Sequence, residues 1–387
     1  MDMRKLKILQ LASFEGNIGD NANHCGTRST LAKNLGVELE FTNLEIREFY
    51  WKQRKFDDQF AELANQHDLV MIGGGNYFEM WVENSCTGTS IDISIDLLKK
   101  INTPIVFYAL GCDPGQGVSE QNVSKFRDFL DYVLSLPQFL VSVRNDGSWD
   151  SVNQYIGKKY AERIYRVPDG GFFTQVENYF HPELPLGKQV VAVNIAGDML
   201  DVRFKLDGIS SKRIRYEEFI IDFSQFVNDS LESNSELHFI FIPHIFRDIG
   251  VVSDILNAVN DSYRRNRITM APYLHGKGAQ EYIFDLYRKC DLVLGMRFHA
   301  NVCPIGFNVP TIGLVNYIQI DNLYRELDLS ERSVHVNEAG FSHKLNDMTR
   351  ASLKNKEDIV KKYKEINMGL QQKINFFHKV MAEWINC

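Results

Sequence analysis

The sequence has 387 residues, 44% of them hydrophobic and 24% charged, with a formal net charge of -7. A chain of this length is expected to hold two domains of about 100–200 residues each, with enough apolar side chains for a core in both. The acidic balance argues against a nucleic-acid-binding face, which is usually basic. It leaves room for an anionic small molecule, which needs only a few clustered arginines.

Taken in chain order, short apolar runs alternate with helical patterns. A strand is expected over residues 6–14, a helix over 23–35 ending at Gly36, a strand over 36–44 and a helix over 57–67. The strand over 68–72 runs into Gly73-Gly74-Gly75. A helix over 90–101 leads to a strand over 104–110. The stripe Val123, Phe126, Phe129, Leu130, Val133 and Leu134 marks a helix over 121–136. A strand over 139–143 ends at Arg144, and a helix over 149–156 and a strand over 163–167 complete the block. Residues 178–188, of mixed polarity with Pro and Gly, read as a linker. In the second block, strands are expected over 190–195, 237–242, 268–274, 291–295 and 311–315. Its helices fall over 216–231, 248–259, 279–289, 300–307 and 321–327, and a long helix over 357–385 ends the chain.

Such alternation predicts an α/β fold whose parallel sheets are covered on both faces. Two blocks joined by a linker suggest two Rossmann-like domains facing each other across a cleft, over residues 1–180 and 188–350. Residues 351–387 form a C-terminal helix that packs across them. Ligands of such sheets bind outside the carboxyl ends of the strands, near the point where strand order reverses.

The cysteines, Cys25, Cys86, Cys112, Cys290, Cys303 and Cys387, form no C-x-x-C pair. With no His/Asp/Glu spacing of ligand type either, neither a metal nor a disulfide framework is expected, and a reducing compartment fits best. The N-terminus reads as a first strand rather than a signal peptide. No run approaches the ~18 apolar residues of a membrane span. The protein is expected to be cytoplasmic, visiting a membrane, if at all, from its inner face.

The residues that promise chemistry sit at strand ends. Leu294-Gly-Met-Arg-Phe-His-Ala300 closes a buried strand and opens a helix. A helix N-terminus supplies backbone N–H groups and partial positive charge. Arg297 adds a donor fork suited to carboxylate or phosphate, and His299 a group that titrates near neutral pH. An arginine paired with a structural carboxylate beside a capping histidine would leave the same pattern. His244, in Ile242-Pro-His244, ends another strand of the same block, where it either contacts donor phosphate or satisfies loop carbonyls. In the first block, Gly16-Asn17-Ile18-Gly19-Asp20 permits a tight turn and close backbone approach. Asp20 either orients or deprotonates an acceptor hydroxyl, or caps a helix. Gly73-Gly74-Gly75-Asn76 is a second turn where a ligand or a strained backbone is expected. Arg144 is a third strand-end residue, with a salt bridge to Asp146 or Asp150 as its structural alternative. Asp113, Arg166 and Asp169 read as structural.

These motifs, with Val141-Ser-Val-Arg144, Val167-Pro-Asp169 and Met296-Arg-Phe-His-Ala300, resemble in order and spacing those of the polysaccharide pyruvyl transferases over about residues 5–330. The resemblance implies a glycosyltransferase-B-like fold. It implies phosphoenolpyruvate as donor, and as acceptor a sugar, including a lipid-linked oligosaccharide, on an exopolysaccharide, capsule or cell-wall glycan. The product is a pyruvate ketal, and no further cofactor is implied. His299 and Asp20 would be catalytic. Arg297, Arg144, His244 and Phe298 would hold the donor, and Asn17, Gly19, Gly74, Gly75 and Asn76 would face the acceptor or supply loop backbone. One departure stands out: family members often carry a Tyr followed by a lysine beyond the R-x-H motif, and here Gln319 lies near the lysine's place. Two alternatives carry different chemistry. A nucleotide-sugar glycosyltransferase of the same fold would need an acidic residue for a ribose after a glycine-rich turn, and none is convincing. A non-catalytic glycan- or phosphometabolite-binding relative would tolerate Gln319. The acceptor sugar and the oligomeric state are not encoded in any motif.

Overall fold

The computed structural model describes residues 5–206, 212–276 and 278–385. Residues 1–4 and Cys387, which enter the reading of the N-terminus and of the cysteines, lie outside the described residues. The chain divides into two compact units. Unit 1 comprises Met1–Glu15, Asn23–Phe173 and Gly369–Cys387, and unit 2 comprises Gly16–Ala22 and Thr174–Met368.

The strands of unit 1 are β1 (Lys5–Ala12), β2 (Glu38–Glu45), β3 (Leu69–Gly73), β4 (Phe78–Glu79), β5 (Ile105–Leu110), β6 (Cys112–Asp113), β7 (Phe139–Arg144) and β8 (Tyr165–Val167). Six of them form one sheet in the order β2-β1-β3-β5-β7-β8, and β4 pairs with β6. All of these pairings are parallel. Strands β3, β5 and β7 are buried at every position, as continuous apolar runs are when helices cover both faces. On one face Ile72, Phe107 and Val141 pack with Phe126, Phe129 and Leu130 of the helix Glu120–Ser135. On the other, Ile8, Met71 and Val106 pack with Leu31 and with Ile374, Phe377 and Met381 of the last helix.

Unit 2 holds β9 (Gln189–Asn194), β10 (Leu237–Phe241), β11 (Ile268–Met270), β12 (Leu292–Gly295), β13 (Thr311–Val315) and β14 (Ser333–His335). Their order is β11-β10-β9-β12-β13-β14, again all parallel. Alternate residues of β9 serve opposite faces. Val191 and Val193 meet Phe219, Phe223 and Phe226 of the helix Tyr216–Ser233, while Val190 and Ala192 meet Ile283, Phe284 and Tyr287 of the helix Ala279–Arg288. Ile18 and Ala22 are buried in this second cluster. Their burial explains why Gly16–Ala22, and Asp20 with it, belongs to unit 2 although β1 belongs to unit 1.

Strand order reverses between β1 and β3 in unit 1 and between β9 and β12 in unit 2. These two points are where a doubly wound sheet offers a ligand crevice.

Some local expectations give way to the structure. Only Ile95–Leu98 of the expected helix over 90–101 is helical. Thr87 Oγ1 donates to the Ile91 carbonyl at 2.7 Å, the Ile91 N–H donates to Thr89 Oγ1 at 3.3 Å, and Ser94 Oγ caps the short helix at Leu97 N. Hydroxyls here take the backbone groups that a helix would have used. The first helix starts at Ile18 rather than near residue 23. The second sheet gains a sixth strand, β14, and a helix, Phe341–Lys354, fills a stretch without an assigned element. The last helix runs over Lys356–Ile385. Among the described residues no helix is long and apolar enough to cross a membrane.

Candidate functional site

At the switch point of unit 2, the ends of β9, β10 and β12 are tied together by the buried side chain of Asn194. Its Nδ2 donates to the Ile242 carbonyl at 2.9 Å, and its Oδ1 accepts from the Arg297 N–H at 3.0 Å. The Arg297 guanidinium lies between two carboxylates. Nε donates to Asp248 Oδ2 at 2.8 Å, and Nη2 to both Asp248 Oδ1 and, at 3.0 Å, Asp198 Oδ1. Asp248 opens the helix Asp248–Ala258 and also accepts the N–H groups of Gly197, His244 and Ile245 at 2.9–3.1 Å. Burial works against the charge on Arg297, but Asp248 and Asp198 outweigh it and hold its pKa above the usual value. Burial also opposes ionisation of Asp248, and Arg297 more than offsets it, so that carboxyl stays below its usual range. Asp248 is fully buried, whereas the Asp198 side chain is 27% exposed.

His299 begins the helix His299–Gly306, with Phe298 buried before it and their rings edge to face at 5.4 Å. The His299 ring is 6% exposed, and its Nδ1 lies 3.9 Å from Asp20 Oδ1. The approach depends on Gly19: a Cβ there would stand 2.7 Å from His299 Nδ1. Asn17 holds that turn, its Oδ1 accepting the Gly19 N–H at 3.0 Å at the start of the helix Ile18–Leu35. The turn that presents Asp20 and the strand end that presents His299 are therefore fitted to each other within one unit.

His244 also lies at this strand edge, fully enclosed. Its Nε2 pairs with the Tyr287 hydroxyl at 2.9 Å, and Nδ1 is buried with no hydrogen-bond partner among the described residues. Burial drives its pKa down to about 3, with Arg297 and His299 adding to the shift and Asp248 opposing it. It is thus neutral at physiological pH and offers a ring nitrogen rather than a cation.

In unit 1, Arg144 ends β7 with its side chain 4% exposed. Nε donates to Asp146 Oδ2 at 2.7 Å, and Nη1 lies 3.4 Å from Asp169 Oδ2. Asp169 also accepts from Asn23 Nδ2 at 3.1 Å and from the Gly171 N–H at 2.8 Å. Asn76 donates to Asp113 Oδ2 at 3.0 Å and keeps a buried Oδ1 with no partner among the described residues. The chain itself explains the glycine run. A Cβ on Gly73 would meet the Tyr108 carbonyl at 2.0 Å, one on Gly74 the His24 ring at 3.1 Å, and one on Gly75 the Tyr77 ring at 2.3 Å. Gly74 has in addition a φ of +83, in the left-handed region that glycine enters without penalty. Arg166 stacks on Trp149 at 4.9 Å.

Residues 17–317 match the family model of the polysaccharide pyruvyl transferases. The chain belongs to that family. Its R-x-H segment and its Gly19-Asp20 turn, paired above, both lie inside the matched region. No curated protein matches the sequence. Among solved structures the chain is similar to a candidate UDP-N-acetylglucosamine 2-epimerase from Listeria monocytogenes, with 13% identity over 93% of this chain and 91% of that one and a TM-score of 0.56. It is also similar to a glycosyltransferase from Rickettsia africae, with 11% identity over 99% of both chains and a TM-score of 0.55. A third similar structure is Anabaena HepE, solved with UDP and glucose, with 13% identity over 98% of both chains and a TM-score of 0.51. At such identities the likeness shows the fold alone, the glycosyltransferase-B type with two Rossmann-like sheets.

Four residues of this candidate site carry no motif in the sequence: Asn194, Asp198, Asp248 and Arg203, whose Nη2 lies 3.4 Å from Asp198 Oδ1. Asp198 and Arg203 follow the first strand of the second block. The strand-end rule, applied there as at the other strands, would have brought up Gly197-Asp198. Asp248 carries no such signal, because a helix-opening aspartate is ordinarily only a cap.

Proposed function

We propose that this transferase moves pyruvate from phosphoenolpyruvate to two hydroxyls of one polysaccharide sugar, forming a ketal. The observation that carries the reading is the fitted pair of His299 and Asp20 beside Arg297 at the switch point of unit 2. Protonation of the donor's methylene carbon makes the adjacent carbon electrophilic. One sugar hydroxyl attacks that carbon, its C–O bond to phosphate breaks, and a second hydroxyl closes the ring. Of the two hydroxyl protons, one replaces that delivered to the methylene and the other leaves with phosphate. Such a sequence needs a positioned acid or base and fixed cations for the donor's anionic groups. His299 carries the proton, and Asp20 steadies the imidazolium and orients the attacking hydroxyl. Arg297 holds a donor anion, and His244, neutral, contributes a hydrogen bond.

The test is incubation of the protein with phosphoenolpyruvate and a panel of β-galactosides, mannosides and lipid-linked oligosaccharides, followed by assay of released phosphate and product NMR. Phosphate release with a new ketal carbon supports the reading. Failure across the panel, with thermal stabilisation by UDP-sugars and not by phosphoenolpyruvate, would favour nucleotide-sugar chemistry. His299→Ala should lower turnover by about 10²-fold or more. Near wild-type turnover in that folded variant would remove the histidine from the mechanism.

A further inference from the structure

Asp198 is shared by two arginines. Its Oδ1 lies 3.0 Å from Arg297 Nη2 and 3.4 Å from Arg203 Nη2, and its Oδ2 lies 3.5 Å from Arg297 Nη1. Arg203 belongs to the short helix Leu200–Arg203 and is buried. Its Nε donates to the Asp198 carbonyl at 3.0 Å and its Nη1 to Asn316 Oδ1 at 3.0 Å, with the guanidinium 5.5 Å from the Tyr317 ring centre. Two enclosed guanidinium groups thus converge beside β9, β12 and β13, and among the described residues two carboxylates, Asp198 and Asp248, balance them.

The two carboxylates are not equivalent. Asp248 is fully buried and fixed by three backbone N–H groups, so it stays with Arg297. Asp198 stands at the open side, next to Met199 with its left-handed φ of 54, a conformation that costs a non-glycine residue energy. Without Asp198, the two arginines would share one carboxylate among the described residues, and enclosed positive charge short of counter-charge is unfavourable. A phosphate or carboxylate group presents the same oxygens to the same forks.

We propose that Asp198 occupies, in the unliganded protein, the place of an anionic group of the donor, and that Arg203 receives that group together with Arg297 when Asp198 swings away. The identity of the donor rests on the proposed function, but the exchange itself requires only a phosphate or carboxylate ligand. Arg203 would then be a second donor-binding arginine, and Asp198 an internal competitor that sets donor affinity.

The experiment measures affinity of the full chain for phosphoenolpyruvate, inorganic phosphate and UDP by calorimetry. It compares wild type, Asp198→Asn, Arg203→Gln and the double variant, each checked for folding by circular dichroism. Asp198→Asn should bind phosphoenolpyruvate and inorganic phosphate about tenfold more tightly, since Asp248 still anchors Arg297. Arg203→Gln should bind phosphoenolpyruvate about tenfold more weakly, and the double variant should lose the gain. Unchanged or weaker binding of all three probes by folded Asp198→Asn would overturn the exchange. If Asp198→Asn misfolds, a structure of the wild type with phosphoenolpyruvate decides, and Asp198 still seated on both arginines in it would also overturn the proposal. A gain for UDP and not for phosphoenolpyruvate would uphold the exchange and reject the donor.

Discussion

Arg144 at the end of β7 and Arg297 just beyond β12 keep similar chemical company, each a buried arginine between two aspartates. Around Arg144 the arrangement is closed: the side chains of Asp146 and Asp169 are 3% and 0% exposed. Around Arg297 one partner is equally closed and the other reaches solvent. The charge balance differs as well. Unit 1 gathers Asp113 and Glu79 near Arg144, with Arg47 also acting on Glu79, whereas unit 2 sets Arg203 beside Arg297 with Asp198 and Asp248 as their carboxylates among the described residues. An arginine at a strand end thus occurs in two settings, one with both counter-ions enclosed and one with a counter-ion open to solvent. What separates a structural clamp from an exchangeable one is whether a counter-ion can leave without stranding a buried charge.

The largest expected effect lies in unit 1. Arg144→Ala should strand buried carboxylates and destabilise the protein by about 3–5 kcal/mol, measured by denaturant unfolding with attention to separate transitions of the two units. A loss below about 1 kcal/mol, the range of exposed pairs, would show the network to be less closed than its burial implies.

Next comes Glu79, whose pKa burial raises to about 7, with Asp113 adding and Ser90, Arg144 and Arg47 opposing. A carboxyl raised in the folded state contributes stability below its unfolded value, lost as pH rises through about 7. Glu79→Gln should therefore be stabilising at pH 8, by at most about 3 kcal/mol, and neutral near pH 4. Equal stability of variant and wild type at both pH values would mean that Glu79 is ionised without cost.

Gly19→Ala attacks the unit 2 site without touching its charges. The added methyl would stand 2.7 Å from His299 Nδ1, and displacement of about 1 Å can cost 10²-fold in turnover. Turnover should fall by about that factor while the melting temperature changes little; an unaffected rate would separate His299 from the chemistry. The smallest effect should be on the stability of Asp198→Asn: it takes a counter-charge from two buried arginines, but at a position that solvent reaches, so the cost should be about 1–2 kcal/mol, well below that of Arg144→Ala. A cost equal to that of Arg144→Ala would erase the contrast between the two units.

Much of this fold was legible in the sequence, because parallel strands covered on both faces are written as apolar runs and their helices as apolar stripes. Thr311–Val315 has the bounds that its pattern predicts, and the helix over Glu120–Ser135 departs by a residue at each end. Where side chains competed for backbone groups, as Thr87, Thr89 and Ser94 do, the pattern misled. The glycines of the run Gly73–Gly75 advertised close approach, yet whether a ligand or Tyr108, His24 and Tyr77 made that approach depended on distant parts of the chain.

The sequence by itself determined the α/β class, the strand ends that carry Arg297, His299, Asp20 and Arg144, and the family motifs. Those properties follow from local periodicity and from residue order. Only the tertiary structure decided that residues 16–22 belong with unit 2, that Asp20 reaches His299, and that Asp248 and Asp198 surround Arg297. Counter-ions 49 and 99 residues away in sequence are chosen by strand order. Local periodicity does not encode that order, because it depends on how each crossover returns its strand to the sheet.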